Sequence, residues 1–481
     1  MSNYKRLHPV TAISNFLKEL KQLIAPFIVF FIIGRRDQKE NFWDYAPMLI
    51  MTIMIIYVLI SGIVKWLRFT YRLEEGELRI EHGLFVKKKR YIPFERIQSL
   101  NFSEGILHRP FGLVKVSIET AGNSSMEAEA ELTAITKMAA EEIQQTIAAA
   151  KKSAKKAGEE KDAIEIQDQE KMIYQISNRE MFVMASTSGG AGVILSALLA
   201  FFSQFNEMIP YEKIFNEVSH IVESGVFLIS LIVVIILLAA WICSIIVTML
   251  RFHGFTAKEI EDNLVITRGL LERRQTTIPL HRIQAIRISE NPLRQLFGYA
   301  TVYIESAGGT LTDKESLSVI LLPMIKKNKT LEILGDILKG YQFDVAFHQA
   351  PIRAKRGYII REMLKSLPIV IGLLILFWPY GLLGSLLVAI SIIYGRSRFR
   401  TAGWNLEENQ LTLRYRGIVK HTMFMRKNRV QSMVYKESWF QRKLKLASIF
   451  STVKSASTGK TAKVYHLDVK DVETIYQWYK Q

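Results

Sequence analysis

The chain of 481 residues carries 63 Lys+Arg against 45 Asp+Glu, a formal net charge of +18, and is 49% hydrophobic. One thiol, Cys243, excludes a disulfide framework and a cysteine-rich metal site, while 27 Gly and 12 Pro exclude collagen-like and low-complexity classes. The apolar residues lie in blocks rather than along amphipathic faces, which argues against a single soluble enzyme core.

Five uncharged runs follow in chain order: 23–33, 46–64, 181–203, 224–250 and 366–395. A helix crosses a bilayer core with about 20 apolar residues, and the third and fourth runs reach that unaided. Gly34-Arg35-Arg36-Asp37 breaks the first pair. Pro26 and Pro368 stand near helix starts, where a missing N–H costs least. No small-residue cleavage site follows the first run, so it reads as a retained membrane segment rather than a signal peptide. By length alone 366–395 is one tilted helix or two short ones turned at Pro379-Tyr380-Gly381. The loop 203–224 holds Glu207, Glu212, Glu217 and Glu223 against Lys213, whereas most cations follow the paired runs. The positive-inside rule then places both termini and the polar segments in the cytoplasm of a multi-pass cell-membrane protein, with Arg35 and Arg36 cutting the other way.

An internal repeat organises the rest. At an offset of 186, Ile92-Pro93, Arg96-Ile97-Gln98, Ser103-Glu104, Phe111-Gly112 and Glu119 recur as Ile278-Pro279, Arg282-Ile283-Gln284, Ser289-Glu290, Phe297-Gly298 and Glu305. A third, worn copy carries Gly417-Ile418, Arg429-Val430-Gln431 and Glu437, with Arg426 in place of the proline and Leu444-Lys445 in place of Phe-Gly. Keeping three copies on one side of a membrane requires an even number of spans before each, so the repeat predicts that 366–395 is a hairpin. Alternation at 77–82, 97–102 and 114–118 predicts strands, glycines at 83 and 269 permit turns of positive φ, and helices are expected at 136–157, 329–340 and 470–480. Each copy reads as a small antiparallel barrel or sandwich closed by a C-terminal helix. The predicted bounds are 1–66 for the N-terminal segment and first hairpin, 67–170 for the first strand domain with its linker, 171–251 and 252–345 for the second hairpin and domain, and 346–395 and 396–481 for the third.

The helix pairs, the segment Ile-Pro-x-x-Arg-Ile-Gln-Ser at 92–99 and Arg-Pro-Phe-Gly-Leu at 109–113 together resemble the bacterial pleckstrin-homology-like membrane proteins of the YdbS/YdbT family, in its three-unit form. The resemblance covers essentially the whole chain and is weakest in the third copy. It implies an integral membrane α-plus-β protein, with three helix hairpins each followed by a seven-stranded PH-like antiparallel β-barrel and a capping helix. It also implies a smaller PH-like membrane partner or self-association, and for some members resistance to membrane-active bacteriocins or envelope stress.

Thr458-Gly459-Lys460-Thr461 ends like a phosphate-binding loop. The full motif needs glycine where Lys454 stands and a helix after the threonine, whereas the following residues alternate, so the segment reads as a hairpin. Lys87, Lys88, Lys89, Arg90, Arg273 and Arg274 are candidates for anionic-lipid or partner contact, and residues 396–481 alone carry 18 Lys+Arg and 6 Asp+Glu. The plainer reading, that these cations orient and solvate the domains, stands beside it. Arg96 with Gln98, Arg282 with Gln284 and Arg429 with Gln431 share a strand face, and with Pro93 and Pro279 they read as architecture, as do Glu104, Glu290 and Glu437. The nine histidines lack metal-ligand spacing, no cofactor is expected, and no nucleic-acid signature accompanies the cations. The expected function is a non-enzymatic membrane scaffold or interaction module. A transporter or channel component is the alternative, disfavoured because no charge lies deep in the apolar runs, and a lipid-acting enzyme is the third reading.

Overall fold

The computed structural model describes residues 4–33, 46–84, 86–120, 130–156, 170–190, 192, 195–196, 226–307, 318–455 and 459–480. The Gly34 break, the loop 203–224, the turns at 121–123 and 308–309, the end of the charged linker and Thr458 lie outside them. The chain divides into two compact units, Met1–Gln169 with Leu271–Thr277, and Glu170–Leu270 with Ile278–Gln481.

The first unit opens with a two-residue strand β1 (Lys5–Arg6), followed by helices α1 (Val10–Ile33) and α2 (Ala46–Leu67). They pack antiparallel: Ser61 donates to Glu19 at 3.2 Å, Lys65 pairs with the same carboxylate, and Trp66 Nε1 donates to the Leu7 carbonyl at 2.8 Å. Strands β2 (Thr70–Glu74), β3 (Glu77–His82) and β4 (Lys88–Pro93) follow, with β1 on the β2 edge. A second sheet holds β5 (Ile97–Glu104), β6 (Leu113–Thr120) and β7 (Ala130–Thr136), and α3 (Lys137–Lys156) closes the end. Period-2 alternation puts Leu78, Ile80, Val116, Ile118 and Leu132 inside, while Ala140, Ile143 and Ile147 at helical spacing bring one face of α3 onto them. Each such Leu or Ile contributes about 1.5–3 kcal/mol by leaving water. The same unit includes Arg273–Gln275, which pair antiparallel with Phe102–Glu104 on the outer edge of β5.

The second unit contains the other two copies. Strand β8 (Glu170–Gln175) precedes α4 (Asn178–Ser186) and α5 (Val226–Phe252), and β9 (Thr256–Ile260) then pairs with both β8 and β10 (Asn263–Arg268). Next come β11 (Arg273–Pro279), of which only Ile278 and Pro279 belong to this unit, β12 (Ile283–Glu290), the short α6 (Pro292–Leu296), β13 (Tyr299–Ser306), β14 (Val319–Lys326) and α7 (Lys327–Ile337). The third copy begins at β15 (His348–Gln349), with α8 (Ala354–Leu376) and α9 (Ser385–Thr401) before β16 (Gly403–Glu407), β17 (Gln410–Arg416) and β18 (Lys420–Arg426). It ends with β19 (Val430–Lys436), α10 (Trp439–Lys443), β20 (Leu446–Val453), β21 (Lys460–Asp468) and α11 (Val469–Lys480). One seven-stranded sheet, ordered β14-β13-β12-β18-β17-β16-β15, joins the later strands of the second copy to the earlier strands of the third.

The run 366–395 does fold as two helices. A 3-10 turn at Tyr380–Gly384 links α8 to α9, and a Cβ on Gly395 would stand 2.8 Å from Ile359 Cα, so the two backbones meet closely. The base of the hairpin is tied to β21, with Arg361 over the Tyr465 ring at 3.8 Å and Tyr358 donating to the Tyr465 carbonyl. Three described helices, Leu49–Leu67, Val233–Phe252 and Tyr380–Thr401, are long and apolar enough to cross a membrane.

Three expectations change. Pro26 and Pro368 lie inside α1 and α8 rather than near helix starts. The run beginning at 181 does not start as a membrane helix: α4 ends at Ser186, and its Met181 and Met184 are buried in the core of the second copy. A capping box between Ser177 and Glu180 starts α4 beside the sheet. In addition, the strand before each hairpin pairs with the strand after it: Lys5 faces Tyr71, Gln175 faces Thr256, and His348 faces Trp404. In each copy the first strand therefore comes before the described helices and the second strand after them, so β1, β8 and β15 lie outside 67–170, 252–345 and 396–481 or, for β8, at the very end of the first of these.

Candidate functional site

In every copy the glycine turn between the third and fourth strands is tied to the end of a helix. Arg68, just after α2, donates to the Leu84 carbonyl. Gly269 N donates to the His253 carbonyl and Leu270 N to that of Leu250, both at 2.9 Å, at the end of α5. Arg414 Nε donates to the Thr401 carbonyl at 3.0 Å and Arg416 Nε to Thr401 Oγ1 at 3.1 Å, at the end of α9. Gly83 and Gly269 take φ of 135° and 106°, a region that side chains disfavour. The turns hold apolar residues out in solvent: Val86 is 70%, Leu271 48% and Ile418 74% exposed.

The cations lie directly behind these tips. Lys87, Lys88, Lys89 and Arg90 are all exposed, the last three on β4. Glu81, across the strand pair, holds Lys87 at 2.5 Å and Lys89 at 3.7 Å. That contact lifts the Lys87 amine above its ordinary range and holds the Glu81 carboxyl below its own. Arg273 is exposed at the start of β11, and Arg274 bonds Glu272 at 3.0 Å.

The Ile-Pro-x-x-Arg-Ile-Gln element forms the corner between the two sheets of a copy. Pro93 and Pro279 open 3-10 turns at Phe94–Arg96 and Leu280–Arg282, and Arg426 opens the third at Lys427–Arg429. One bond recurs at all three corners: Phe94 N to Gly76 O, Leu280 N to Asp262 O and Lys427 N to Asn409 O, each 2.9 Å. The Arg and Gln side chains do not converge on a common point. Arg96 is exposed, Gln98 half-buried and Gln431 exposed, while buried Gln284 donates to the Arg282 carbonyl at 3.0 Å and Arg429 reaches the His281 carbonyl at 2.8 Å. Gly459-Lys460-Thr461 leads into β21 rather than a helix, so no helix N-terminus is available to hold a phosphate.

A buried polar cluster escaped the reading of the sequence. Arg287 Nε meets Glu305 at 2.9 Å, Ser318 donates to both carboxylate oxygens at 3.0 and 2.8 Å, and Ser455 donates at 2.7 Å. Arg287 also donates to Ser289 at 3.0 Å, Ser289 shares a bond with His421 Nδ1 at 2.9 Å, and Lys420 meets Glu290 at 2.6 Å. Burial, with the charges of Arg287 and Lys460, pushes the His421 imidazole down to about 4. Burial also lowers the Lys420 amine, against the pull of Glu290. The available signal was Glu305 itself, a charge retained at the same place as Glu119 on a strand of otherwise apolar alternation.

The Bacterial PH domain family matches residues 23–151, 200–340 and 363–481. The chain is 38% identical over 492 residues to the UPF0699 transmembrane protein YdbT of Bacillus subtilis (strain 168), a similarity covering 100% of this chain and 98% of the relative. No solved structure matches it. With three matched segments, a matched relative of nearly equal length and three described helices long and apolar enough to cross a membrane, the chain belongs to the bacterial PH-domain family of YdbT-type transmembrane proteins.

Proposed function

We propose that the protein is a non-enzymatic membrane scaffold whose three PH-like domains sit on the cytoplasmic leaflet and read its anionic lipids. The observation that carries this is the threefold turn: an exposed apolar tip (Val86, Leu271, Ile418) pinned to the exit of a helix, with Lys87–Arg90 close behind in the first copy and Arg273–Arg274 in the second. Such a turn sits at headgroup depth, where an apolar residue enters the interface and each cation gains about 1 kcal/mol from an anionic leaflet. The sheet-and-helix units serve as the barrels of this reading, and the hairpins as anchors rather than a transport path.

A fluorophore on Ile418→Cys, in a Cys243→Ser background, tests it in nanodiscs. Quenching by brominated phosphatidylglycerol is expected, and emission unaffected by brominated lipid removes the reading. Replacing Lys87, Lys88, Lys89 and Arg90 with glutamine should reduce enrichment of anionic over neutral lipid around the full chain. Protection against membrane-active peptides belongs to the same proposal. A deletion strain with unaltered sensitivity to a panel of such peptides removes that part and leaves the lipid contact standing.

A further inference from the structure

The repeat leaves two strand edges open whose internal counterparts are both occupied. Within the second unit β12 carries β18 on its outer edge, from Ala285 opposite Met425 to Glu290 opposite Lys420. Within the first unit β5 carries Arg273–Gln275 in the same register, with Glu104 opposite Arg273. Glu104 and Glu290 are one position of the repeat, and Arg273 and Lys420 are another. Two independent ladders therefore follow one rule: the later sheet of a copy, ending in Glu, accepts a fourth strand that begins with a cation.

The rule names two further strands. β19 corresponds to β5 and β12, with Glu437 in the place of Glu104 and Glu290. β4 corresponds to β11 and β18, with Lys87 just before it in the place of Arg273 and Lys420. Among the described residues, β19 pairs only with β20 and β4 only with β3. Their side chains look unfinished beside the internal copies. Phe424 of β18 is 2% exposed and meets Phe343 edge-on at 5.1 Å, whereas Tyr91, at the same position of β4, is 53% exposed. Arg287 of β12 is buried, whereas Val434 of β19 is 41% exposed.

We propose that β19 of one chain pairs antiparallel with β4 of a second copy of this chain, Glu437 facing Lys87 and Val434 facing Arg90, so that the transmembrane protein assembles head to tail. An exposed edge strand is a template for such pairing, and an interface between two different patches propagates into a ring or a chain. In the pairs that now hold these charges, Lys87 with Glu81 at 2.5 Å and Glu437 with Arg442 at 3.7 Å, the cation is the exposed member (62% for Lys87 and 74% for Arg442) and swings away into solvent at little cost. Lys88 faces Lys436 in this register, a like-charge pair where the two template ladders have Ser103 facing Arg274 and Ser289 facing His421. The junction between chains is therefore weaker than those within one and assembles reversibly. It draws on the backbone edge of β4, and although Lys87 and Arg90 serve both readings, the cross-link reports the strand pairing whether or not the turns contact lipid.

The test uses two differently tagged full-length chains in a Cys243→Ser background, one with Arg90→Cys and one with Val434→Cys, co-expressed and oxidised in native membranes. A disulfide joining the two tags is expected, with neither variant linking to itself and with the yield falling when Lys89→Cys replaces Arg90→Cys. Glu437→Lys or Lys87→Glu alone should lower the cross-linked fraction about two- to fivefold, and combining one in each chain should restore it. Absence of the mixed dimer, a Val434→Cys homodimer, or cross-linking only to a different protein would each overturn the proposal. The substitutions sit on exposed edges, and unchanged elution of the detergent-purified chain confirms that folding is intact.

Discussion

The strands β5 and β12 hold the same slot by different chemistry. In the second unit, buried Arg287 lies against Glu305, with three serine hydroxyls and the Tyr303 ring, 4.2 Å away, completing its surroundings. In the first unit, Asn101 Nδ2 donates to Glu119 at 3.0 Å, Ser99 donates at 2.8 Å, and Asn101 Oδ1 accepts from Thr277 N at 3.2 Å. Both bridge neighbouring strands, so the slot requires a donor for the repeated glutamate, while a full cation is an addition of the second unit. That addition carries titratable company, since His421 and Lys460 feel its charge.

Removing the carboxylate separates the two most strongly. Glu305→Ala leaves a buried guanidinium unpaired and should cost about 3–5 kcal/mol. Glu119→Ala takes the acceptor away from the Asn101 amide and the Ser99 hydroxyl, at about 1–3 kcal/mol. Thermal unfolding of the detergent-purified variants measures both, and equal losses would mean that charge is irrelevant to the slot.

Acidification comes next. The folded pKa of His421 and of His466, each about 4, lies below the ordinary value near 6.5, so the unfolded chain binds more protons between those limits. Their stabilisation is complete above about pH 6.5 and is lost as pH falls toward 4, by about 2–3 kcal/mol for each histidine. Hydrogen exchange at pH 7.5 and 5 should show the amides of β18 and β21 losing protection, and His421→Gln should remove the β18 part. Arg287→Asn, which installs the first unit's solution, should cost about 1–2 kcal/mol and also raise the His421 pKa, read by NMR titration. The smallest effect belongs to Arg429→Ala, which gives up one bond to the His281 carbonyl and about 0.5–1 kcal/mol.

The membrane-length helices, the three copies and the corner motif were legible because they rest on local signals: uncharged runs, a fixed offset and period-2 alternation. The hairpin at 366–395 followed from counting spans against the repeat. The first strands were not legible, since β1 and β15 have two residues each, too few to show a period, and β8 lies where a charged linker seemed to end. The ladder between β12 and β18 was hidden for another reason. A repeat fixes what each copy looks like but says nothing of which outer edges meet, and side chains such as Arg287 and His421 acquire meaning only across that edge.

The placement of each hairpin between two neighbouring strands also sets an order in time. A ribosome finishes the first strand of a sheet, then both membrane helices, and only then the strand that pairs with it, so no copy can complete its sheet before its helices have been delivered to the bilayer. Afterwards the paired strands act as a clasp at the foot of the hairpin. The clasps differ in length, two residue pairs for β1 with β2 and for β15 with β16, but five between β8 and β9. Tension from a thinning or stretching bilayer would therefore open the outer clasps first and leave the middle one shut.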